Sequence, residues 1–272
     1  MMKLRFLFAV VIFLTSASVS AEMQMQGGDA PADARDPHAY SGGYSLDGGP
    51  YSLKAQRQLR LADEHHFWNV MFDRLEYGKG DDSEGLTYDT QAWFGRTYDR
   101  LVIKAEGEGD DGDIEEAETE LLWGHAVATF WDSQLGVRHD SGEGPSRTWL
   151  AFGLQGLAPY WFEVDATAYI GEEGRTALSV EAEYELLLTQ RLILQPRVEL
   201  SAYGKADEER GIGRGLSALS AGLRLRYEFS RQFAPYLGVE WAGQLGDSAD
   251  LAQAAGQDDS ETRLIAGVRL WF

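Results

Sequence analysis

Leu264-Ile265-Ala266-Gly267-Val268-Arg269-Leu270-Trp271-Phe272 is the last stretch of the sequence, and its rhythm predicts the fold. Apolar residues recur at every second position (Leu264, Ala266, Val268, Leu270), and the final residue is aromatic. A repeat of two is that of β-strand side chains, so one face is apolar and the other carries Gly267, Arg269 and Trp271. Such a strand suits the closing edge of an all-β bacterial outer-membrane barrel, where one face meets lipid and the other a polar lumen.

The opposite end carries an export signal. Lys3 and Arg5 precede the apolar run Phe6 to Leu14, and small residues follow up to Val19-Ser20-Ala21. This predicts a signal peptide over residues 1–21, cleaved after Ala21. The run falls short of the roughly 20 apolar residues that a spanning helix needs. There is no Cys, which excludes a disulfide framework, a lipoprotein anchor and thiol chemistry. Mean hydropathy is below zero although 8 Trp, 12 Tyr and 12 Phe are present. Strands exposed alternately to lipid and water average out in this way, while aromatic girdles raise the aromatic count. The net charge of -20 argues against non-specific nucleic-acid binding and suits cationic partners or a surface among outer-membrane lipids.

Residues 22–64 show no period and few large apolar side chains, which predicts a flexible N-terminal periplasmic segment. Within it, Ser52 to Glu64 fits a short helix that plugs or abuts the barrel mouth. From 65 to 272, alternating segments recur near 66–77, 86–94, 98–108, 114–124, 130–139, 147–156, 160–170, 176–187, 191–203, 216–229, 234–243 and 262–272. That is about twelve strands, an even number as single-chain barrels require. Odd connections are polar and rich in Gly and Asp, as in Glu108 to Asp113 and Gly246 to Ser260. Even ones are short or more apolar, such as Gly95-Arg96-Thr97. Long extracellular loops and short periplasmic turns give this rhythm, with both termini in the periplasm. Pro196 has an outward position and cannot donate to the ladder, which predicts a bulge or bend.

The same parity fills the lumen. Segment 160–170 sends Glu163, Asp165, Thr167 and Tyr169 inward, and segment 176–187 sends Glu181, Glu183 and Glu185. Segment 191–203 adds Gln195, Arg197, Glu199 and Ser201, and segment 216–229 adds Arg224 and Arg226. A one-residue slip would put these charges in lipid, at roughly 2–4 kcal/mol for each Arg near the midplane. The register is therefore strongly fixed. Two readings of the acidic wall stand side by side. It is a path or site for cations, since carboxylate oxygens attract metal ions. Alternatively it is a salt-bridged interior, with Arg197, Arg224, Arg226, Arg100 and Lys104 as partners; the similar numbers of acids and bases favour this one.

Met and His are few. Met23 and Met25 open the mature chain, His38 follows, His65 and His66 stand where the first strand begins, and Met71 lies within it beside Asn69 and Asp73. Thioether and imidazole suit copper, with Met favouring Cu(I). These residues equally fit a tail, a strand end and a space-filling side chain. His139-Asp140-Ser141 has a spacing that pairs a nucleophile with a base, in a Gly-rich loop, and is the one enzymatic arrangement worth weighing.

Several stretches resemble the copper resistance protein B family: Asp36-Pro37-His38-Ala39-Tyr40-Ser41, Ala62-Asp63-Glu64-His65, Asp73-Arg74-Leu75-Glu76, Gly156 to Val164, Arg175 to Leu178, Tyr184 to Gln195, Gly211-Ile212-Gly213, Arg226 to Ser230 and the last strand. The resemblance spans roughly residues 35–272. It implies an outer-membrane role in copper resistance or homeostasis, copper ions as ligand, and a periplasmic multicopper oxidase as partner. Where relatives carry a Met- and His-rich segment, this sequence has only Met23, Met25 and His38, with His65 and His66 at its end; Leu61 stands where relatives often have Met. A pore or docking surface survives that thinning better than tight chelation by the tail. The reading is therefore a non-enzymatic barrel that binds or passes copper ions. A general small-cation or solute channel and a lipid-modifying enzyme are the alternatives.

Overall fold

The computed structural model describes residues 65–80, 84–110, 113–142 and 144–272. The signal peptide, the segment 22–64 and its expected helix lie outside the described residues.

Alternating residues produce strands β1 (Phe67–Lys79), β2 (Glu84–Gly95), β3 (Asp99–Asp110), β4 (Asp113–Ala128), β5 (Trp131–Gly142), β6 (Arg147–Ala158) and β7 (Phe162–Gly171). They continue as β8 (Thr176–Glu183), β9 (Leu186–Leu187), β10 (Leu192–Tyr203), β11 (Gly215–Tyr227), β12 (Phe233–Gln244) and β13 (Ser260–Trp271). Each pairs antiparallel with its neighbour. β8 and β9 both pair with β10 and form one stave in two pieces, so there are twelve staves. β13 pairs with β1, and the ring is closed. At this seam Phe272 N donates to Val70 O at 2.9 Å, and Val70 N donates to Phe272 O at 3.2 Å. Closure leaves no strand edge, the condition for a sheet to stand in lipid.

Alternation sorts the faces as expected. Leu264 is 71% exposed while its neighbour Ile265 is 5% exposed. The outward band includes Leu237, Leu178, Leu150 and Phe152, an apolar surface far larger than a soluble monomer carries. Trp271 differs in part from its inward assignment: it is half-exposed at the rim, with its indole N–H on Arg231 O.

Three features depart from simple parity. In β1 the register shifts against both neighbours near Asp73. Inward positions therefore change from Asn69, Met71 and Asp73 to Arg74 and Glu76, and two successive charged residues enter the lumen. Opposite Pro196 the facing stave breaks at Tyr184–Glu185 without losing register, since Leu194 opposes Leu186 and Arg197 opposes Glu183. Tyr184 N still donates to Pro196 O at 3.1 Å, but Pro196 has no N–H to return. Of the expected bulge or bend, the register excludes the bulge and shows a gap in the ladder.

The expected long loops are also fewer. Strands at that end run on into the expected connections, so that Glu108 to Asp110 belong to β3 and Asp140 to Gly142 to β5 rather than to a loop. Only the 204–214 connection and the 245–259 connection, which holds helix α1 (Asp247–Ala254), are long. The odd connections define a loop end; the even ones and Phe272 define a turn end.

Glycine has a packing role where an aromatic ring crosses it. Gly267 lies between Glu76 and Tyr236, and a Cβ there would stand 2.6 Å from the Tyr236 ring. The open space lets Tyr236 reach across and donate to Glu76 Oε2 at 3.0 Å.

Candidate functional lumen

Inward charges meet inside the ring. Asp165 directly opposes Glu181 across β7 and β8, and Glu181 opposes Glu199 across β8 and β10. Glu163 opposes Glu183, which opposes Arg197. Like charges facing each other across strands repel, so this wall needs counter-charge from elsewhere. Lys104 of β3 supplies it by pairing with Asp165, and its Nζ also donates to Gln134 Oε1 at 3.0 Å. Arg197 donates to Glu181 at 2.8 Å and lies 3.5 Å from Glu199 and from Asp89. On another sector, Arg224 donates to Glu76 at 2.8 and 3.1 Å and to Glu240 at 2.7 Å. Arg226 pairs with Glu185 and donates to Gln195 at 2.9 Å; Arg269 holds Glu185 at 2.8 Å and Asp73 at 2.9 Å. Arg100 stands apart, 3.3 Å from Asp132 and over the Trp93 ring.

The salt-bridged interior is thus real, yet it leaves space. A cavity of about 350 Å³ is lined by Met71, Asp73, Asp89, Lys104, Glu106, Glu118, Glu120, Arg138, Glu163, Asp165, Glu181, Glu183 and Glu199, with polar and small residues between. Its ionisable lining is ten carboxylates against Lys104 and Arg138. A second chamber of about 340 Å³ opens toward the loop end and shares Glu106, Glu118 and Glu199 with the first. Its further charges are Arg74, Glu108, Glu116, Arg210, Glu240 and Arg263. Beside these spaces Val102, Leu122, Trp149, Ala151 and Tyr169 form an apolar cluster that narrows the bore. Tyr169 donates to Glu120 at 2.7 Å and receives Arg138 over its ring, tying the cluster to the charges.

The soft ligands are dispersed. Met71 lines the inner chamber, where Arg269 Nη2 approaches its Sδ at 3.5 Å. His65 and His66 are exposed at the turn end, and His66 stacks on Phe94 with ring centroids 5.6 Å apart. Five residue steps of extended chain separate His66 from Met71, roughly 17 Å, so the structure does not gather them. Met23, Met25 and His38 lie outside the described residues. Among the described residues, no group of three or more His, Cys, Asp or Glu is arranged to hold a metal ion.

The supposed loop at His139 is part of β5. His139 Nδ1 is 3.0 Å from Thr148 Oγ1, and Ser141 Oγ bonds to Ala117 O at 3.5 Å, so the two residues do not engage each other. Sequence reading missed Asp89, Glu106, Glu118, Glu120 and Arg138 as chamber residues. Their alternation in β2 to β5, as in Glu116-x-Glu118-x-Glu120, was the available signal.

With this geometry in view, the family model for copper resistance protein B precursor matches residues 66–272. The chain is 50% identical over 200 residues to a copper resistance protein B homolog of Pseudomonas syringae pv. tomato, covering 74% of this chain and 68% of that protein. It is 45% identical over 203 residues to copper resistance protein B of Escherichia coli, covering 75% and 69%. Among solved structures, a NanC porin aligns over 75% of this chain and 99% of its own, with 12% identity and a TM-score of 0.47.

Proposed function

The chain belongs to the copper resistance protein B family, and from that premise we propose that it passes copper ions, binding them in transit, through the lumen of an outer-membrane barrel. The observation that carries this reading is the inner chamber, with ten carboxylates against two bases around Met71. Carboxylate oxygens suit a hydrated divalent cation, and the one thioether suits Cu(I). Conduction needs sites weak and numerous enough to release the ion. A dispersed acidic lining meets that need better than a tight cage, and copper here is cargo rather than a resident cofactor.

In this reading the loop end faces outward and both termini stand in the periplasm. Met23, Met25, His38, His65 and His66 offer soft ligands on the periplasmic side, where a multicopper oxidase is the partner we propose. The role is non-enzymatic. Disruption in a host without redundant systems lowers copper tolerance, and unchanged tolerance would reject the role.

The dispersed soft ligands favour a second reading, a general small-cation channel in which copper is one of several ions. Liposome flux separates the two: a preference for copper over other divalent cations supports the first, equal rates support the second, and absence of flux rejects both.

A further inference from the structure

The 204–214 connection is built to reach across the barrel. Asp207 and Ile212 exchange backbone hydrogen bonds, N to O at 2.8 and 3.0 Å, and close a tip over Glu208–Arg210 and Gly211. Gly211, at φ 68°, takes the left-handed turn that lets the tip fold back. The tip carries Arg210 onto Glu116 of β4, with Nη2 to Oε1 at 3.1 Å, and Nη1 donates to Pro145 O at 3.2 Å. In the ring, β4 is the fourth stave, while the loop springs from the ninth and tenth. Fourth and tenth staves of twelve stand opposite each other, so this ion pair crosses the mouth. The Arg210 side chain is only 6% exposed and lines the outer chamber.

The tip is also fastened. Arg147 grips Asp207 with two hydrogen bonds, Nε at 2.8 Å and Nη2 at 3.0 Å, and Arg175 stands 3.5 Å from the same carboxylate. A paired fork on a carboxylate fixes direction as well as distance. Behind the tip, Gly213 N donates to Ser248 Oγ of α1 at 2.8 Å, which joins the two long connections into one cover.

We propose that Arg210, carried over the loop-end mouth and seated on Glu116, restricts cation access to the outer chamber, and that the Arg147–Asp207 clasp holds it there. This rests on the reading that the lumen passes cations. A guanidinium at the entrance neutralises Glu116 and repels an approaching cation; without it, the entrance becomes carboxylate-lined like the chambers below.

The test is potassium conductance of the full-length protein in planar bilayers. Arg210→Gln raises conductance severalfold, Arg210→Lys stays close to the parent, and Asp207→Asn or Arg147→Gln rises in the direction of Arg210→Gln. Heat-modifiable migration on gels verifies that each variant has a closed barrel. Parent-like conductance in both Arg210→Gln and Asp207→Asn would overturn the strap while leaving cation passage standing. If neither the parent nor any variant conducts, cation passage itself fails and the strap fails with it.

Discussion

Two sectors of the lumen obey one alternation and treat their carboxylates differently. Around β1, β11 and β12, one acid is sealed: Glu76, at 2% exposure, receives Arg224 and Tyr236. Across β7, β8 and β10, carboxylates face one another, as Asp165 faces Glu181 and Glu181 faces Glu199, and they line open space. The difference lies in where the guanidiniums stand. Under the proposed function, the first sector holds the barrel closed and the second attracts cations.

That contrast breaks first at Arg224. Arg224→Met leaves Glu76 buried without its ion-pair partner, and the expected loss is about 3–5 kcal/mol, read as a lower unfolding temperature of the reconstituted barrel. An unchanged unfolding temperature would show that Glu76 belongs with the open carboxylates after all. The other sector is read by conduction. Asp165→Asn combined with Glu181→Gln removes two chamber carboxylates, and with them a partner each of Lys104 and Arg197, and lowers both cation selectivity and copper tolerance. Full retention of selectivity, read from reversal potentials, would remove the acidic wall from the proposed path.

A smaller effect separates the loop end from both. The hydrogen bond from Arg147 holds the Asp207 carboxyl below the usual carboxylate range, against partial burial and with help from Arg175 and Arg210. Glu209 also shares Arg147. A lowered carboxyl favours the clasped state fully above the ordinary value of about 3.9 and loses it as pH falls through the depressed one. Conductance therefore rises only below about pH 3.9, and Asp207→Asn abolishes that step. A step near neutrality would assign it to another group. The smallest change is expected at the turn end. Replacing His65 and His66 together by Ala shifts copper tolerance less than the Asp165/Glu181 pair does; a larger shift would relocate copper handling to the turn-end rim.

Much of this was legible in the sequence because parity is local. Leu264 to Leu270 sorted lipid from lumen, and the same alternation set Glu163, Asp165, Glu181 and Glu183 on one wall. Arg74 was not legible there, since the register shift beside Asp73 reverses parity without any glycine to mark it. The partner bases were legible as a set that included Lys104, Arg197 and Arg226, but not which base meets which acid. Lys104 meets Asp165, and Arg210 meets Glu116, only because twelve staves close into a ring, and distance along the chain says nothing of distance across a bore. The soft-ligand inventory was readable as a list, yet its dispersal between Met71 in the lumen and His65 and His66 at the rim required coordinates.

The seam carries a consequence for how the molecule comes into being. Asn69 and Phe272, joined by a hydrogen bond of 3.2 Å, lie 203 residues apart in the chain. Their sector is among the most non-local contacts in the molecule, and non-local contacts make folding slow. Until Phe272 docks on Val70, both β1 and β13 present raw edges that invite pairing with any other strand. Closure therefore waits on pairing between strands that lie far apart in the chain, and a molecule lacking β13 would linger as an open, aggregation-prone sheet rather than a slightly weaker barrel.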